Sequence, residues 1–367
     1  MRECTVCQSC FPDTVLVCSH DGAETKTTLP IETIVSRRYL LKKRLGTGSM
    51  SVVYLATDQS DNTDRALKIV LPEVIGQNPT VSDHFLLQGR KAFALRHANI
   101  VSVTDSGLIN NLLPFLTMEL VAGFSLHEVL TKGRRLSPVE ALQYLTALGA
   151  GLDHAHANNV VHGDLKPRNV LIQQELSVAR AIKIADFGVS ALKSGKIHAD
   201  MKGKSSGVLR SPVYLAPEEW SEEVTDARSD IYSLGVILYR MLAGDVPFKG
   251  KSIPAIMRAH LVEAPPPIAG RFPEVSAEIE RVVLQALEKD PANRPATVAE
   301  FVAAYRQVVM VQPEPEEIVS NTVYAEQETH EPRPMLSAAT QSLLLALGLV
   351  LVLTLIGVGV YYSRITQ

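Results

Sequence analysis

Two short polar strings set between apolar runs constrain this chain more than any other feature. The first, VHGDLKPRNVL, places Asp164, Lys166 and Asn169 within six residues, and the second, IADFG, brings Asp186 seventeen residues after Asn169. Phosphoryl transfer needs this inventory: a carboxylate that orients a hydroxyl, a cation near the transferred phosphate, and oxygen ligands for Mg²⁺. The probability of an accidental match to both strings at this spacing is negligible, so the sequence predicts a phosphoryl-transfer site.

Two weaker signals lie nearer the start of the chain. The segment LGTGSMSVVY, from Leu45 to Tyr54, contains Gly46 and Gly48 and predicts a β-hairpin whose backbone N–H groups point at phosphate oxygens. Fourteen residues after Tyr54, Lys68 stands in the apolar string ALKIV, where its ammonium can act as a point charge for phosphate. Each signal alone has an ordinary alternative, because turns with two glycines are commonplace and an edge lysine can face solvent.

Taken together, these segments resemble a eukaryotic-type (Hanks-type) Ser/Thr protein kinase of the kind that bacteria carry with a membrane anchor. The resemblance covers about residues 37–309 and implies an α+β, two-lobed protein kinase fold with ATP in the cleft. The small lobe (37–121) should be a five-stranded antiparallel sheet with one main helix, and the large lobe (122–309) mostly helical. Four further strings agree: APE at 216–218, SDIYSLG at 229–235, GDVPF at 244–248 and DPANRP at 290–295.

The resemblance implies a role for each matched residue. Asp164 would accept or orient the proton of the substrate hydroxyl, Lys166 would neutralise charge on the γ-phosphate, and Lys68 would hold the α- and β-phosphates. Asn169 and Asp186 would bind Mg²⁺, for which Mn²⁺ is an alternative. The other ATP-binding positions implied by the match, including a hinge at 118–121, are Leu45, Gly46, Gly48, Val53, Ala66, Met118, Glu119 and Val121.

Other matched residues have structural roles or bear on specificity. The resemblance implies that Asp230 anchors the catalytic loop from beneath and that Glu218 pairs with Arg294. Lys166 and Ser211 follow the pattern of Ser/Thr-specific kinases and not that of Tyr-specific kinases.

One departure concerns the main helix of the small lobe. The position where the family has a glutamate is Gln88, and no other glutamate lies between Glu73 and Glu119. An amide can still accept a hydrogen bond from Lys68, but a hydrogen bond with an ionised partner is roughly twice as strong as a neutral one. We therefore expect the small lobe to hold its active arrangement less firmly.

Two further departures lie in the loops. Gly163 replaces the arginine that usually precedes the catalytic aspartate and pairs with a phosphorylated activation loop. A phosphate on Ser205 or Ser206 therefore lacks this arginine as a partner. We therefore expect activation to depend little on loop phosphorylation. Ser51 replaces a third glycine of the hairpin, which is a mild change.

The resemblance implies a non-specific serine/threonine protein kinase, which transfers the γ-phosphoryl group of MgATP to hydroxyls of protein substrates. Pseudokinases arise by loss of the lysine, the catalytic aspartate or the metal-binding aspartate, whereas Lys68, Asp164 and Asp186 are all present. The alternative is a pseudokinase scaffold that binds nucleotide and presents its surface to partners.

The first 25 residues contain all four cysteines of the chain and resemble a small zinc ribbon. A tetrahedral zinc site needs four nitrogen, sulfur or oxygen ligands. The alternatives are a degenerate ribbon with reduced, unbound thiols and, more remotely, redox sensing by one thiol. The candidate zinc ligands are Cys4, Cys7 and Cys18, with His20, Asp21 or Cys10 as the fourth.

The other end of the chain predicts a membrane anchor. Residues 310–337 are rich in proline and glutamate and predict a disordered linker. The twenty residues 343–362 carry no charge and as a helix span about 30 Å, the thickness of a bilayer core. We expect a single-pass, tail-anchored protein of the inner or plasma membrane, with its kinase domain in the cytoplasm because ATP is there.

Charge bears on the partners of the chain. With 36 basic and 39 acidic residues the net charge is −3, which argues against a nucleic-acid partner bound by bulk basic charge. The early cysteines and the lack of a secretory signal favour a reducing compartment. We expect protein substrates and a membrane as partners, with lateral association in the membrane as a route to a homodimer.

Overall fold

Buried and partly exposed residues alternate along a central strand of the main sheet of the small lobe. In the segment SVVYLATD, Val52, Tyr54 and Ala56 are buried while the residues between them are partly exposed, which is the pattern of a strand with one buried face. The computed structural model describes residues 1–77, 80–174, 181–187, 212–221 and 225–311. Within them the strands of this sheet are β4 Ile34–Val35, β5 Tyr39–Thr47, β6 Ser51–Asp58, β7 Thr63–Val70, β8 Val103–Ile109 and β9 Leu113–Glu119.

The six described strands are antiparallel and lie in the order β4-β5-β6-β7-β9-β8. The sequence analysis predicts five strands in this sheet, and the described sheet has one more. The additional strand is β4, in which Ile34 pairs with Leu40 and Val35 with Tyr39. A strand of two residues is too short for its alternation to be recognised in the sequence.

A smaller sheet precedes the main one and forms what we call the ribbon (residues 1–27). Its strands, in the order β2-β1-β3, are β1 Arg2–Cys4, β2 Cys10–Phe11 and β3 Thr25–Thr27. The turn after β1 wraps around the sulfur of Cys4, which accepts hydrogen bonds from the backbone N–H groups of Val6 (3.3 Å) and Cys7 (3.4 Å). Strands this short bury too little surface to be stable alone, so the ribbon needs support from elsewhere.

One long helix packs across the main sheet, as expected. A short helix, α1 Pro72–Gln77, precedes this helix, α2 Thr80–Ala94. Phe85 and Ala92 are buried on the inner face of α2. At Gly89 a Cβ atom would lie 2.4 Å from the side chain of Leu116, so glycine allows α2 to approach β9 closely. Gln88 lies beside this contact and is partly buried.

The large lobe is mostly helical, also as expected. Ser137 and Glu140 form a reciprocal capping box at the start of its longest described helix, with Pro138 in the first turn. At Gly149 in the same helix a Cβ atom would lie 2.6 Å from Val302, so glycine brings the last described helix close. The helices among the described residues are α3 Leu126–Val129, α4 Pro138–Ala157, α5 Pro217–Trp220, α6 Ala227–Ala243, α7 Ile253–Val262, α8 Ala277–Ala286 and α9 Val298–Met310.

A third sheet, also small, connects the two polar strings. It contains β10 Gly123–Ser125, β11 Val170–Gln173 and β12 Ile182–Ile184, with β11 in the centre. The pairing of Val170 with Ile184 brings the end of the first string next to the start of the second. This sheet therefore positions the candidate site.

The predicted linker and membrane anchor fall almost entirely outside the described part of the chain. Residues 312–367, which include 343–362, are not described, and neither are Gly188, Ser205, Ser206 and Ser211. Among the residues that the structure describes, no helix is long and apolar enough to cross a membrane.

A buried ion pair joins three segments of the large lobe. Arg294 donates to both carboxylate oxygens of Glu218 at 2.8 Å, and its other N–H groups bond to three backbone carbonyls. Burial alone would raise the pKa of Glu218, but the hydrogen bonds from Arg294 and Ser229 outweigh it and hold this pKa below its ordinary value. The pair therefore contributes fully at neutral pH and loses strength as the pH falls through the lowered pKa.

Replacing Arg294 with methionine should lower the free energy of unfolding by about 3–5 kcal/mol, because Glu218 stays buried without its partner. Urea denaturation at pH 7 measures this loss. The control is Arg306→Met, which removes an exposed arginine from α9. If R294M lost no more stability than R306M, the structural role of the pair would be refuted.

Candidate functional site

The catalytic loop is anchored by a buried carboxylate. Asp230 on α6 is 1% exposed and accepts hydrogen bonds from the backbone N–H groups of His162 and Gly163, both at 2.8 Å, and from His156 Nε2 at 2.7 Å. Burial alone would raise the pKa of Asp230, but His156 and the backbone donors outweigh it and lower this pKa. The loop is therefore held from beneath by an ionised carboxylate.

Gly163, which replaces an expected arginine, suits the backbone at this point. Its φ is +66°, in the left-handed region that costs other residues about 1–2 kcal/mol and that glycine enters freely. The departure removes a charge from the loop but also relieves backbone strain beside Asp164.

Three predicted residues of the first polar string lie together. Lys166 Nζ is 2.6 Å from Asp164 Oδ2, and Asn169 Nδ2 donates to the backbone carbonyl of Asp164 at 3.0 Å. The carbonyl of Asn169 in turn accepts the N–H of Ala185 at 2.8 Å. Asp164, Asn169 and the residue preceding Asp186 are thus joined by consecutive hydrogen bonds.

His162 is a site residue to which the sequence analysis assigns no role. It is fully buried, its Nε2 lies 2.9 Å from the carbonyl oxygen of Ala185, and its ring meets Phe187 edge to face at 4.8 Å. It therefore connects the two polar strings from inside. In the sequence, a histidine next to apolar residues looks the same whether it lies at a functional site or in the core, so no signal identified His162.

The lysine of the small lobe meets the second polar string. Lys68 Nζ pairs with Asp186 Oδ1 at 2.7 Å. No hydrogen bond between Lys68 and Gln88 is present in this described part of the chain. The hydrogen bond that an amide at position 88 can accept is therefore not made, and Lys68 instead contacts the candidate site through Asp186.

A separate apolar cluster lies beside this ion pair. It contains four residues expected to contact ATP, Val53, Ala66, Met118 and Val121, and four that the sequence did not indicate, Val101, Leu120, Leu171 and Ala185. A flat apolar lining of this kind suits a purine ring. Glu119 turns its carboxylate away, towards the N–H of Ser102 (2.8 Å) and Lys183 Nζ (3.0 Å).

The glycine-containing segment forms the predicted hairpin between β5 and β6. Gly46 pairs with Val53 across the two strands, and the N–H of Gly48 donates to the carbonyl of Ser51 at 2.8 Å. Leu45 is 47% exposed at the base of the hairpin. At Gly46 and Gly48 the hairpin offers its backbone, and Met50 is buried.

A second cluster lies in the ribbon. Cys7 Sγ and Cys18 Sγ are 3.6 Å apart, and Cys4 Sγ lies 3.4 Å from both carboxylate oxygens of Asp21. The ligand atoms of all four residues lie within 4.8 Å of one another. Tetrahedral zinc with Zn–S bonds of about 2.3 Å and a Zn–O bond of about 2.0 Å needs S–S and S–O separations of about 3.8 and 3.5 Å. The four residues fit such an ion.

The two other candidates for the fourth ligand are not part of this group of four. His20 Nδ1 lies 3.1 Å from Ser9 Oγ and 4.0 Å from Cys7 Sγ. Cys10 packs against the main core, where burial and then Glu3 raise the pKa of its thiol to about 12. The geometry thus favours Asp21.

The ribbon cluster contains groups that ionise readily. Hydrogen bonds from Ser9 lower the pKa of Cys7 to about 7, and the backbone N–H of Ala23 lowers the pKa of Asp21 to about 2. Desolvation raises the pKa of Cys18 to about 11. Thiolates and carboxylates are the forms that bind metal, so a cation would relieve the cost of ionising Cys18.

Comparison with known proteins adds a family match. Residues 39–305 match the family model of the protein kinase domain. The chain is 35% identical over 272 residues to serine/threonine-protein kinase PknB of Mycolicibacterium smegmatis, covering 73% of this chain and 42% of PknB. It is 35% identical over 271 residues to serine/threonine-protein kinase PrkC of Bacillus subtilis, covering 73% and 40%. The chain thus spans less than half the length of these relatives.

The fold comparison agrees with the sequence match. The crystal structure of the Mycobacterium tuberculosis PknI kinase domain superposes with a TM-score of 0.61 at 24% identity, and covers 77% of this chain and all of that one. This likeness concerns the fold alone. It supports the two-lobed architecture of the matched region.

Replacing Gln88 with glutamate should give Lys68 a charged partner on α2, hold the active arrangement more firmly, and raise kcat/KM for ATP several-fold. Steady-state phosphorylation of a generic substrate measures the change. Leu87→Glu is the matched control, since it adds the same carboxylate at a position that is 49% exposed. Equal values of kcat/KM in Q88E and L87E would show that the missing charge does not matter.

Proposed function

This chain belongs to the protein kinase family, and on that premise we propose that it is an active serine/threonine kinase that phosphorylates proteins with MgATP. The observation that carries the proposal is the run of hydrogen bonds from Asp164 through Asn169 to Ala185, the residue before Asp186, together with the ion pair of Lys68 with Asp186. The residues that phosphoryl transfer requires are therefore present and adjacent.

Asp164 and Lys166 act on the reacting groups in this proposal. Asp164 orients the hydroxyl of a serine or threonine and takes its proton while the oxygen bonds to the γ-phosphorus. The bond between the γ-phosphorus and the β,γ-bridging oxygen breaks, and ADP leaves. Lys166, 2.6 Å from Asp164, neutralises charge on the phosphoryl group during transfer.

Asn169 and Asp186 are the proposed Mg²⁺ ligands. The donor contact from Asn169 Nδ2 to Asp164 leaves the amide oxygen of Asn169 as a ligand, and Asp186 supplies a carboxylate, so the donors are the oxygens that Mg²⁺ prefers. Bound there, Mg²⁺ neutralises charge on the phosphates. Lys68 binds the α- and β-phosphates, and the apolar cluster around Ala66 and Met118 holds the adenine.

The second candidate function is a pseudokinase scaffold that binds nucleotide without transferring phosphate. The neutral Gln88 favours it, because the small lobe lacks the charged contact that stabilises an active arrangement. The intact set of Asp164, Asn169 and Asp186 argues against it.

We also propose that the ribbon holds a structural zinc ion through Cys4, Cys7, Cys18 and Asp21. The distances within the cluster support this ligand set, and four protein ligands leave no open position for catalysis. When bound, zinc supplies folding free energy to a segment with little core of its own.

A membrane tether completes the proposal. The uncharged stretch 343–362, with Tyr361 and Tyr362 at its end, supports a membrane anchor with an interfacial aromatic belt. The kinase domain would then face the cytoplasm, at the inner or plasma membrane, and lateral association would favour a homodimer.

The purified full chain should transfer labelled phosphate from ATP to a generic protein substrate, and Asp164→Ala should reduce the rate by at least about a hundredfold. The control is Asp153→Ala, because Asp153 is a half-buried carboxylate of α4 outside the candidate site. Transfer by the full chain no faster than by D164A, with tight ATP binding retained, would refute the kinase and support the scaffold.

A further inference from the structure

The ribbon is attached to the strand that leads into the glycine-containing hairpin. The backbone carbonyl of Gln8 accepts the N–H of Arg44 at 3.0 Å, and Ser9 pairs with Lys43 in an isolated antiparallel bridge. Gln8 is the next residue in the chain after Cys7, which belongs to the metal cluster. The turn that carries two cluster cysteines therefore covers β5 just before Leu45.

A buried glutamate forms a second attachment. Glu3 is 3% exposed and directly precedes Cys4. Its Oε1 accepts a hydrogen bond from the hydroxyl of Tyr54 at 2.6 Å, and its Oε2 lies 3.0 Å from Arg44 Nη1 as an ion pair. Tyr54 belongs to β6 and Arg44 to β5, so one side chain of the ribbon holds both strands of the hairpin.

These attachments meet the hairpin where its own ladder is irregular. The register between β5 and β6 shifts between Arg44 and Gly46, which is a bulge in the strand that leads to the hairpin tip. Bulges loosen the local ladder. Support from outside the sheet therefore has the most effect at this point.

We propose that metal binding in the ribbon positions the glycine-containing hairpin and thereby sets the affinity of the kinase for MgATP. The inference rests on the zinc site proposed above and adds a regulatory role to it. Glu3 and Tyr54 are positioning residues in this account, because neither contacts the nucleotide site itself.

The physical reason is that the metal and the attachments depend on the same short strands. Strands of two or three residues are marginal alone, so a bound ion contributes to the order of the ribbon. When the ribbon loosens, Glu3 leaves its partners, and the hydroxyl of Tyr54, in a side chain that is 1% exposed, is left buried without its acceptor. The hairpin then loses its outer support, and ATP must order it on binding, which weakens the affinity.

Linkage makes the effect reciprocal. Typical coupling between two sites changes affinity about 5- to 150-fold, and we expect about tenfold here. Zinc should tighten ATP binding by that factor, and ATP should tighten zinc binding by the same factor.

The experiment measures the dissociation constant of a fluorescent ATP analogue with Mg²⁺, on the full chain before and after zinc is removed with a chelator. Zinc bound per chain is measured in the same samples. The fluorescence of Trp220, the sole tryptophan of the chain, reports that the large lobe stays folded after chelation. We expect one zinc per chain and a dissociation constant about tenfold higher without it.

Tyr54→Phe tests the route of the coupling. This variant removes only the hydroxyl that reaches Glu3, so it should keep its zinc but show a zinc effect on ATP affinity of less than about threefold. Tyr305→Phe is the matched control, because it removes a buried hydroxyl from α9, where it bonds to Pro138 in the large lobe. Y305F should keep the full effect.

The outcomes separate the proposals. One zinc per chain with unchanged ATP affinity after chelation would overturn the coupling and leave the zinc site standing, and an undiminished zinc effect in Y54F would overturn its route through Glu3. Absence of bound zinc would overturn both the site and the coupling. Zinc binding without any ATP binding would overturn the nucleotide site on which the proposed kinase function depends.

Discussion

The organisation of the site depends on the buried carboxylate of Asp230. It accepts two backbone N–H groups of the catalytic loop and a third hydrogen bond from a histidine of α4. From the loop, hydrogen bonds continue through Asn169 to Ala185, the residue before Asp186. A buried charge deprived of its partners costs about 3–5 kcal/mol. The loop and the carboxylate therefore fix each other, and Asp164 is placed by α6 as much as by its own segment.

The two sides of the cleft are supported to different degrees. The large-lobe side rests on buried groups such as Asp230, whereas Lys68 of the small lobe reaches the site through an ion pair with Asp186, a carboxylate that is 31% exposed. Gln88 adds no charge to that contact. The ribbon supports the same lobe from its other side, through Glu3 and the backbone of Arg44. The small lobe therefore combines an ion pair at the candidate site with support from the ribbon.

The sequence indicated the polar residues of the candidate site, but only four of the eight residues of the apolar cluster. Asp164 and Asp186 stand in polar strings between apolar runs, so their spacing is visible without a structure. Leu171 and Ala185 are not visible in this way, because an apolar residue facing a cleft resembles one facing the core. The fold class was predicted by resemblance, but the two-residue strand β4 is too short to leave a pattern.

The ribbon shows the same limit for long-range contacts. Cysteine spacing predicted the cluster, but the choice among the candidates for the fourth ligand depends on the path of the backbone. Glu3 gave no signal, because its partner Tyr54 is 51 residues away. A charged residue near a chain end is usually solvated, and only the folded structure shows that this one is buried.

Hydrogen–deuterium exchange of residues 160–170 tests the central claim most directly, in the full chain and in Asp230→Asn. The asparagine keeps the size of the side chain but not its charge. The account predicts that this segment loses protection in D230N while α9 keeps its own protection, since that helix does not depend on the anchor. Unchanged protection of residues 160–170 in a folded D230N protein would contradict the claim that Asp230 holds the catalytic loop.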